Sequence, residues 1–172
     1  MIRLRVELSW FETEWAGLVG MNRRIESLRD HRQAGHGLRD DDDPWTKDIE
    51  GAAGELAVAK AIDRFYSGSI NTFREGGDVG RLQVRTARNE SDRLIIRPAD
   101  RDDDLFVFVI GRIPVFEVVG WIYGREGKRS RYLFNRDHNR PPAYFVPQID
   151  LRSLDDPAFR KAIRLDAMVQ RH

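Results

Sequence analysis

Four residues of this chain combine side-chain types and spacing that could do chemistry: Glu55, Asp78, Gln83 and Arg85. Gln83 and Arg85 alternate within R-L-Q-V-R-T-A (81–87), while Leu82, Val84 and Thr86 hold the other parity. Successive side chains of a strand point to opposite faces, so the amide and the guanidinium share a face. Asp78 stands just upstream in G-G-D-V-G (76–80). Glycines there permit positive φ and let other groups come close to the backbone. Glu55 lies in G-A-A-G-E-L-A-V-A-K (51–60), whose small residues would let a helix approach a sheet closely. Two carboxylates, the Gln83 amide oxygen and a backbone carbonyl near Val84 could line an oxygen cavity for a hard cation, Mg²⁺ or Mn²⁺. Such an ion polarises a phosphate oxygen and acidifies a bound water. Arg85 stays protonated and cannot act as a base. It can stabilise charge that develops on a phosphate.

Plainer roles suit the same residues. Glu55 could face solvent on its helix. Asp78 could be a turn residue that bonds its own backbone. Gln83 and Arg85 could form the wet face of an antiparallel sheet.

The order G-A-A-G-E-L-A-V-A-K-A-I, then G-D-V-G, then L-Q-V-R-T resembles the core of the PD-(D/E)XK, restriction-endonuclease-like nuclease superfamily, over about residues 47–97. The resemblance implies that Glu55 is the helix carboxylate, Asp78 the bend carboxylate, Gln83 the second acidic position and Arg85 the lysine position. It further implies a metal-dependent nuclease with Asp78, Glu55 and Gln83 as metal ligands. Gln83 in place of a carboxylate and Arg85 in place of lysine depart from the pattern. The rest of the chain, including G-W-I (120–122) and Y-F-V-P-Q (144–148), resembles phage-encoded proteins of no assigned activity.

Twenty-nine Lys and Arg against 28 Asp and Glu give a formal charge of +1, which excludes a strongly basic chromatin-type protein but not a nucleic-acid enzyme with a local basic face. Segment 125–140 supplies such a face: six basic and two acidic residues, net +4, interleaved with Tyr132 and Phe134. Arg125, Lys128, Arg129 and Arg131 are therefore candidate nucleic-acid contacts; a solubilising loop is the competing reading. The chain has no cysteine, which removes disulfides, zinc–thiolate sites and cysteine nucleophiles together. His31, His36, His138 and His172 show no metal-ligand spacing and read as surface residues. The acidic runs 40–43 and 100–104 read as solvated loops.

Elements must position these groups. Period two predicts a strand over 2–8. Ser9-x-x-Glu12 is a capping box opening a helix over about 10–32. A second helix is expected over about 47–66. Strands are expected over 70–74, 81–87, 93–97, 105–110, 115–122 and 131–134, a short proline-bounded extended piece over 144–146, and a C-terminal helix from Pro157 to near Val169. Helices followed by strands indicate one α+β (mixed α/β) domain with a single central mixed sheet. It would comprise an N-terminal strand and helix (1–33), a nuclease-like core (about 47–122) and a C-terminal extension (141–172). No apolar run nears the ~20 residues of a membrane span, and the N-terminus lacks a signal-peptide core. The expectation is a cytoplasmic protein of a bacterial or phage-infected cell. It would act on nucleic acid, with DNA favoured, and without a membrane partner. Its alternative is a catalytically degenerate nucleic-acid-binding module or a phage accessory protein, with the oligomeric state open between monomer and homodimer.

Overall fold

Ser9 opens the first helix as its sequence requires. Its hydroxyl accepts from the Glu12 N–H at 3.3 Å, and the Glu12 carboxylate accepts from the Ser9 N–H at 2.6 Å. The computed structural model describes residues 3–30, 43–68, 77–134 and 141–169. Its strands are β1 (Leu4–Glu7), β2 (Leu82–Ala87), β3 (Leu94–Ile96), β4 (Leu105–Arg112), β5 (Val115–Tyr123), β6 (Leu133–Phe134) and β7 (Ala143–Val146). Its helices are α1 (Trp10–Arg29), α2 (Pro44–Ala61), α3 (Gly124–Gly127) and α4 (Pro157–Val169). The expected strand over 70–74 and all four histidines lie outside the described residues.

Helix α2 starts before residue 47 because Asp43 caps it, accepting from the Thr46 N–H at 2.9 Å, with Pro44 in the first turn. It stops at Ala61 rather than 66, and Asp63 follows in the left-handed region at φ 54°.

The chain is a single α+β domain, but it holds two sheets where one was expected. Four strands in the order β1-β5-β4-β2 form a mixed sheet; three in the order β3-β7-β6 form a small antiparallel one. In the first sheet only β2 and β4 run parallel. The expected strand 93–97 does not join the main sheet, because β3 pairs with the short extended piece, β7. Residues 124–127 are helical, 130–132 form a 3₁₀ turn, and β6 pairs with β7.

Alternation along β4 separates two cores. Leu105, Val107 and Val109 pack toward α1 and α2, whereas Phe106, Phe108 and Ile110 pack toward the small sheet with Leu94, Ile96 and Val146. A bulge at Val119 shifts the alternation of β5, so that Phe116 and Val118 before it and Trp121 after it all face the α1–α2 core. Gly20 on α1 meets α2 so closely that a Cβ there would lie 2.4 Å from Ile49 Cα. At Gly54 a Cβ would lie 2.0 Å from Thr86 Oγ1, so α2 rests directly on β2. These contacts explain the run of small residues in α2. They bring the next residue, Glu55, inside.

Candidate functional site

Glu55 is 6 % exposed, which overturns the solvent-facing alternative for it. An isolated buried carboxylate is costly. Here Arg23 of α1 donates from both terminal nitrogens, at 2.6 Å to Oε1 and 2.7 Å to Oε2. Tyr66, just beyond α2, donates its hydroxyl to Oε2 at 3.0 Å. Burial pushes Glu55 up to about 7, and the Asp78 charge adds to that rise, against the opposing pull of Arg23 and Tyr66. Tyr66 is raised by burial and by the Glu55 charge.

Asp78 sits in a bend closed by Gly77 N–H to Gly80 O and Asp78 N–H to Leu82 O, both 2.7 Å. The glycines are required. Gly80 has φ 61°, and a Cβ on Gly77 would lie 2.5 Å from Leu82 O. The bend turns the carboxylate onto β2, an edge strand, where Oδ2 accepts from the Val84 N–H at 2.7 Å. Burial raises Asp78, and the Asp100 charge adds to the rise; Arg85, the Val84 N–H and Arg23 oppose it.

Arg85 projects from β2 on the face away from α2. Its Nη2 donates to Asp100 Oδ2 at 3.0 Å, Nε to Ile95 O at 3.3 Å and Nη1 to Val84 O at 3.3 Å, and the guanidinium covers the Phe106 ring at 5.0 Å. A guanidinium carries five N–H groups, so two stay available. Gln83 shares that face, half-buried, in register with Phe106. Among the described residues its amide makes no hydrogen bond, and neither does Asp78 Oδ1.

Two groups thus form, Arg23–Glu55–Tyr66 and Arg85–Asp100, and Asp78 at the sheet edge is coupled electrostatically to both, although no hydrogen bond or ion pair among the described residues joins it to either. Nothing joins Gln83 to Glu55. The sequence reading missed three members. Arg23 carried a signal: it follows Ala16, Val19 and Gly20 at helical spacing, on the face of α1 that those buried residues mark. Asp100 was read with its acidic run as solvated. Its side chain is only 18 % exposed, and Oδ2 also accepts from the Arg97 N–H at 2.8 Å. Tyr66 had no local signal.

The fit to a hard divalent ion divides by residue. Asp78 Oδ1 and the Gln83 amide oxygen suit it in chemistry and are not engaged. Glu55 as placed does not suit it, because Arg23 and Tyr66 hold both of its oxygens. Among the described residues no group of three or more His, Asp and Glu side chains could hold a metal ion.

The basic segment is largely answered within the fold. Arg125 pairs with Asp103 at 3.2 Å, Lys128 with Asp102 at 2.7 Å and Arg131 with Asp150 at 3.8 Å. Lys128 also donates to the carbonyls of Pro98 and Asp100. The acidic run 100–104 is therefore the counter-ion of the basic one. Arg129 is exposed and has no acidic partner among the described residues. No helix among the described residues is long and apolar enough to cross a membrane. Comparison with known proteins brought no match to a family model, a curated protein or a solved structure.

Proposed function

We propose that this chain is a metal-dependent nuclease that hydrolyses DNA phosphodiesters on a restriction-endonuclease-like core centred on Asp78. One observation supports this reading above the others. A helix carboxylate and a bend carboxylate, far apart in sequence, are both buried and raised and act on each other electrostatically, and the Arg85 guanidinium acts on the second. Burying charge costs several kcal/mol per ion, and such perturbed groups concentrate where chemistry is done. Asp78 and Gln83 would hold Mg²⁺ or Mn²⁺. When bound, the ion would polarise the phosphate and activate a water. Arg85 would offer its two remaining N–H groups to charge developing on the phosphate, and Arg129 would take a backbone phosphate nearby.

A second reading, a nucleic-acid-binding module that does not cut, is favoured by the hold of Arg23 on both Glu55 oxygens. Incubating linear and supercoiled DNA with Mg²⁺ or Mn²⁺, alongside fluorescence anisotropy at several salt concentrations, separates the two. Cleavage that is lost in EDTA and in Asp78→Ala is expected. Binding without cleavage selects the second reading, and neither overturns both.

A further inference from the structure

We propose that the outward face of α1 is a self-association surface, on which a second copy of this chain docks its own α1 in antiparallel orientation. Helix α1 is apolar on two opposite faces. Its inner face, through Ala16, Val19 and Gly20, is buried against α2. Half a helical turn around stand Phe11, Trp15, Leu18, Met21, Ile25 and Leu28, 81 %, 46 %, 48 %, 44 %, 41 % and 50 % exposed. Phe11, Leu18 and Ile25 repeat every seven residues, and Met21 and Leu28 fall at the intervening position, as in a coiled-coil seam that Glu14 interrupts once at that same position. A soluble helix normally keeps its outward face polar, and contiguous exposed apolar patches mark interaction sites.

Three features favour a second copy as the occupant. The first is area. An aromatic side chain carries roughly 150–250 Å², so Trp10 (82 % exposed), Phe11 and Trp15 alone present several hundred square ångströms. With the four aliphatic residues the patch reaches the order of the ~800 Å² that one partner gives a standard interface. The second is charge. The exposed Glu14 lies in the first half of α1 and the exposed Arg29 at its end, and neither has an ionic partner among the described residues. Aligned antiparallel over their full length, two α1 helices bring Glu14 about one turn from the partner's Arg29, twice over, by two-fold symmetry. The third is self-complementarity of shape: the same alignment sets Leu18 against the partner's Met21 and Phe11 against the partner's Leu28, closing apolar layers on either side of the level at which Glu14 meets the partner's Ile25.

Sedimentation velocity of the full chain up to about 100 µM tests this, a range in which a dissociation constant of about 10 µM already gives mostly dimer. A dimer is expected, weakened at least tenfold in Leu18→Glu/Ile25→Glu. Both side chains face solvent, so that variant should keep the wild-type circular dichroism and urea transition. Glu14→Arg should weaken the dimer, and adding Arg29→Glu should restore it. A wild-type monomer at the top concentration overturns the proposal. Weakening by Glu14→Arg that Arg29→Glu does not reverse overturns the antiparallel alignment.

Discussion

Replacing Arg23 by Met should make the stability of this protein depend strongly on pH. In the wild type both partners are largely buried, with side-chain exposures of 16 % for Arg23 and 8 % for Glu55. Glu55 is raised from 4.5 to about 7, and about 1.4 kcal/mol per pH unit makes that a contribution on the order of 3 kcal/mol. Because the folded value lies above the unfolded one, this contribution is full below about pH 4.5. It is lost as pH rises through about 7. Arg23 opposes the rise. Without it the carboxyl moves further up, and the loss continues above pH 7.

At pH 8 the variant either keeps a buried carboxylate without its main counter-ion or must take up a proton against the pH, and such a break costs about 3–5 kcal/mol. At pH 5 the carboxyl is mostly neutral in both proteins, and the cost falls to the ~1–2 kcal/mol of lost hydrogen bonds and packing. Urea unfolding at pH 5 and pH 8 with a common slope measures both. Arg23→Met/Glu55→Gln removes both charges and should recover at least about 1 kcal/mol at pH 8 relative to Arg23→Met alone. Equal losses at the two pH values, or strict additivity in the cycle, would refute the coupled pair and leave Arg23 a packing residue.

Gly20→Ala should cost about 2–3 kcal/mol in the same assay, since its methyl meets the α2 backbone rather than a movable side chain; a loss below 0.5 kcal/mol would show that the helices slide apart freely. Gln83→Glu adds a fourth carboxylate to Glu55, Asp78 and Asp100 and should lower the melting temperature in EDTA, with Mg²⁺ restoring it and calorimetry showing tighter Mg²⁺ binding. Identical melts and affinities would make Gln83 a bystander on the strand. Arg129→Ala should flatten the slope of log affinity against log salt for DNA by about 0.9, with Arg125→Ala changing it less because Asp103 already answers that charge; equal effects would show that the surface pairs do not matter.

What was legible in the sequence was local. The Ser9–Glu12 box, the alternation in residues 81–87 and the thin face of α2 each rest on neighbours within one turn or one strand. The second sheet was not legible, because β3 has only three residues and finds its partner some fifty positions later in β7. Nothing near residue 94 distinguishes that pairing from one with the main sheet. The start of α2 was missed because Asp43 was read as part of an acidic run rather than as a cap. Asp100 was missed for the same reason. Charge runs were treated as units, whereas the fold takes them residue by residue: Asp100 goes to Arg85, Asp102 to Lys128 and Asp103 to Arg125. Glu55, Asp78 and Arg85 were named from their order along the chain. The helical spacing that puts Arg23 on the inner face of α1 was legible too, but the pairing of its guanidinium with Glu55 was not, because that joins two helices 32 positions apart.

That guanidinium sharpens the choice between the two functional readings. The cluster contains three carboxylates, Glu55, Asp78 and Asp100, and two guanidinium groups, Arg23 and Arg85, which leaves it one negative charge in excess. A divalent ion entering beside Asp78 would turn that excess into a positive one, which suits an approaching phosphate but weakens the ion's own hold. Two changes could offset this: release of Glu55 by Arg23, or a fourth carboxylate at position 83. The first is tested by whether Arg23→Met binds Mg²⁺ more tightly than the wild type, the second by whether Gln83→Glu does. If the first holds, Arg23 is the group a metal must displace, and hydrolysis depends on that exchange. If Mg²⁺ affinity ignores Arg23 and rises only with Gln83→Glu, the pair is structural and the natural glutamine leaves a centre that grips a phosphate through Arg85 without cutting it.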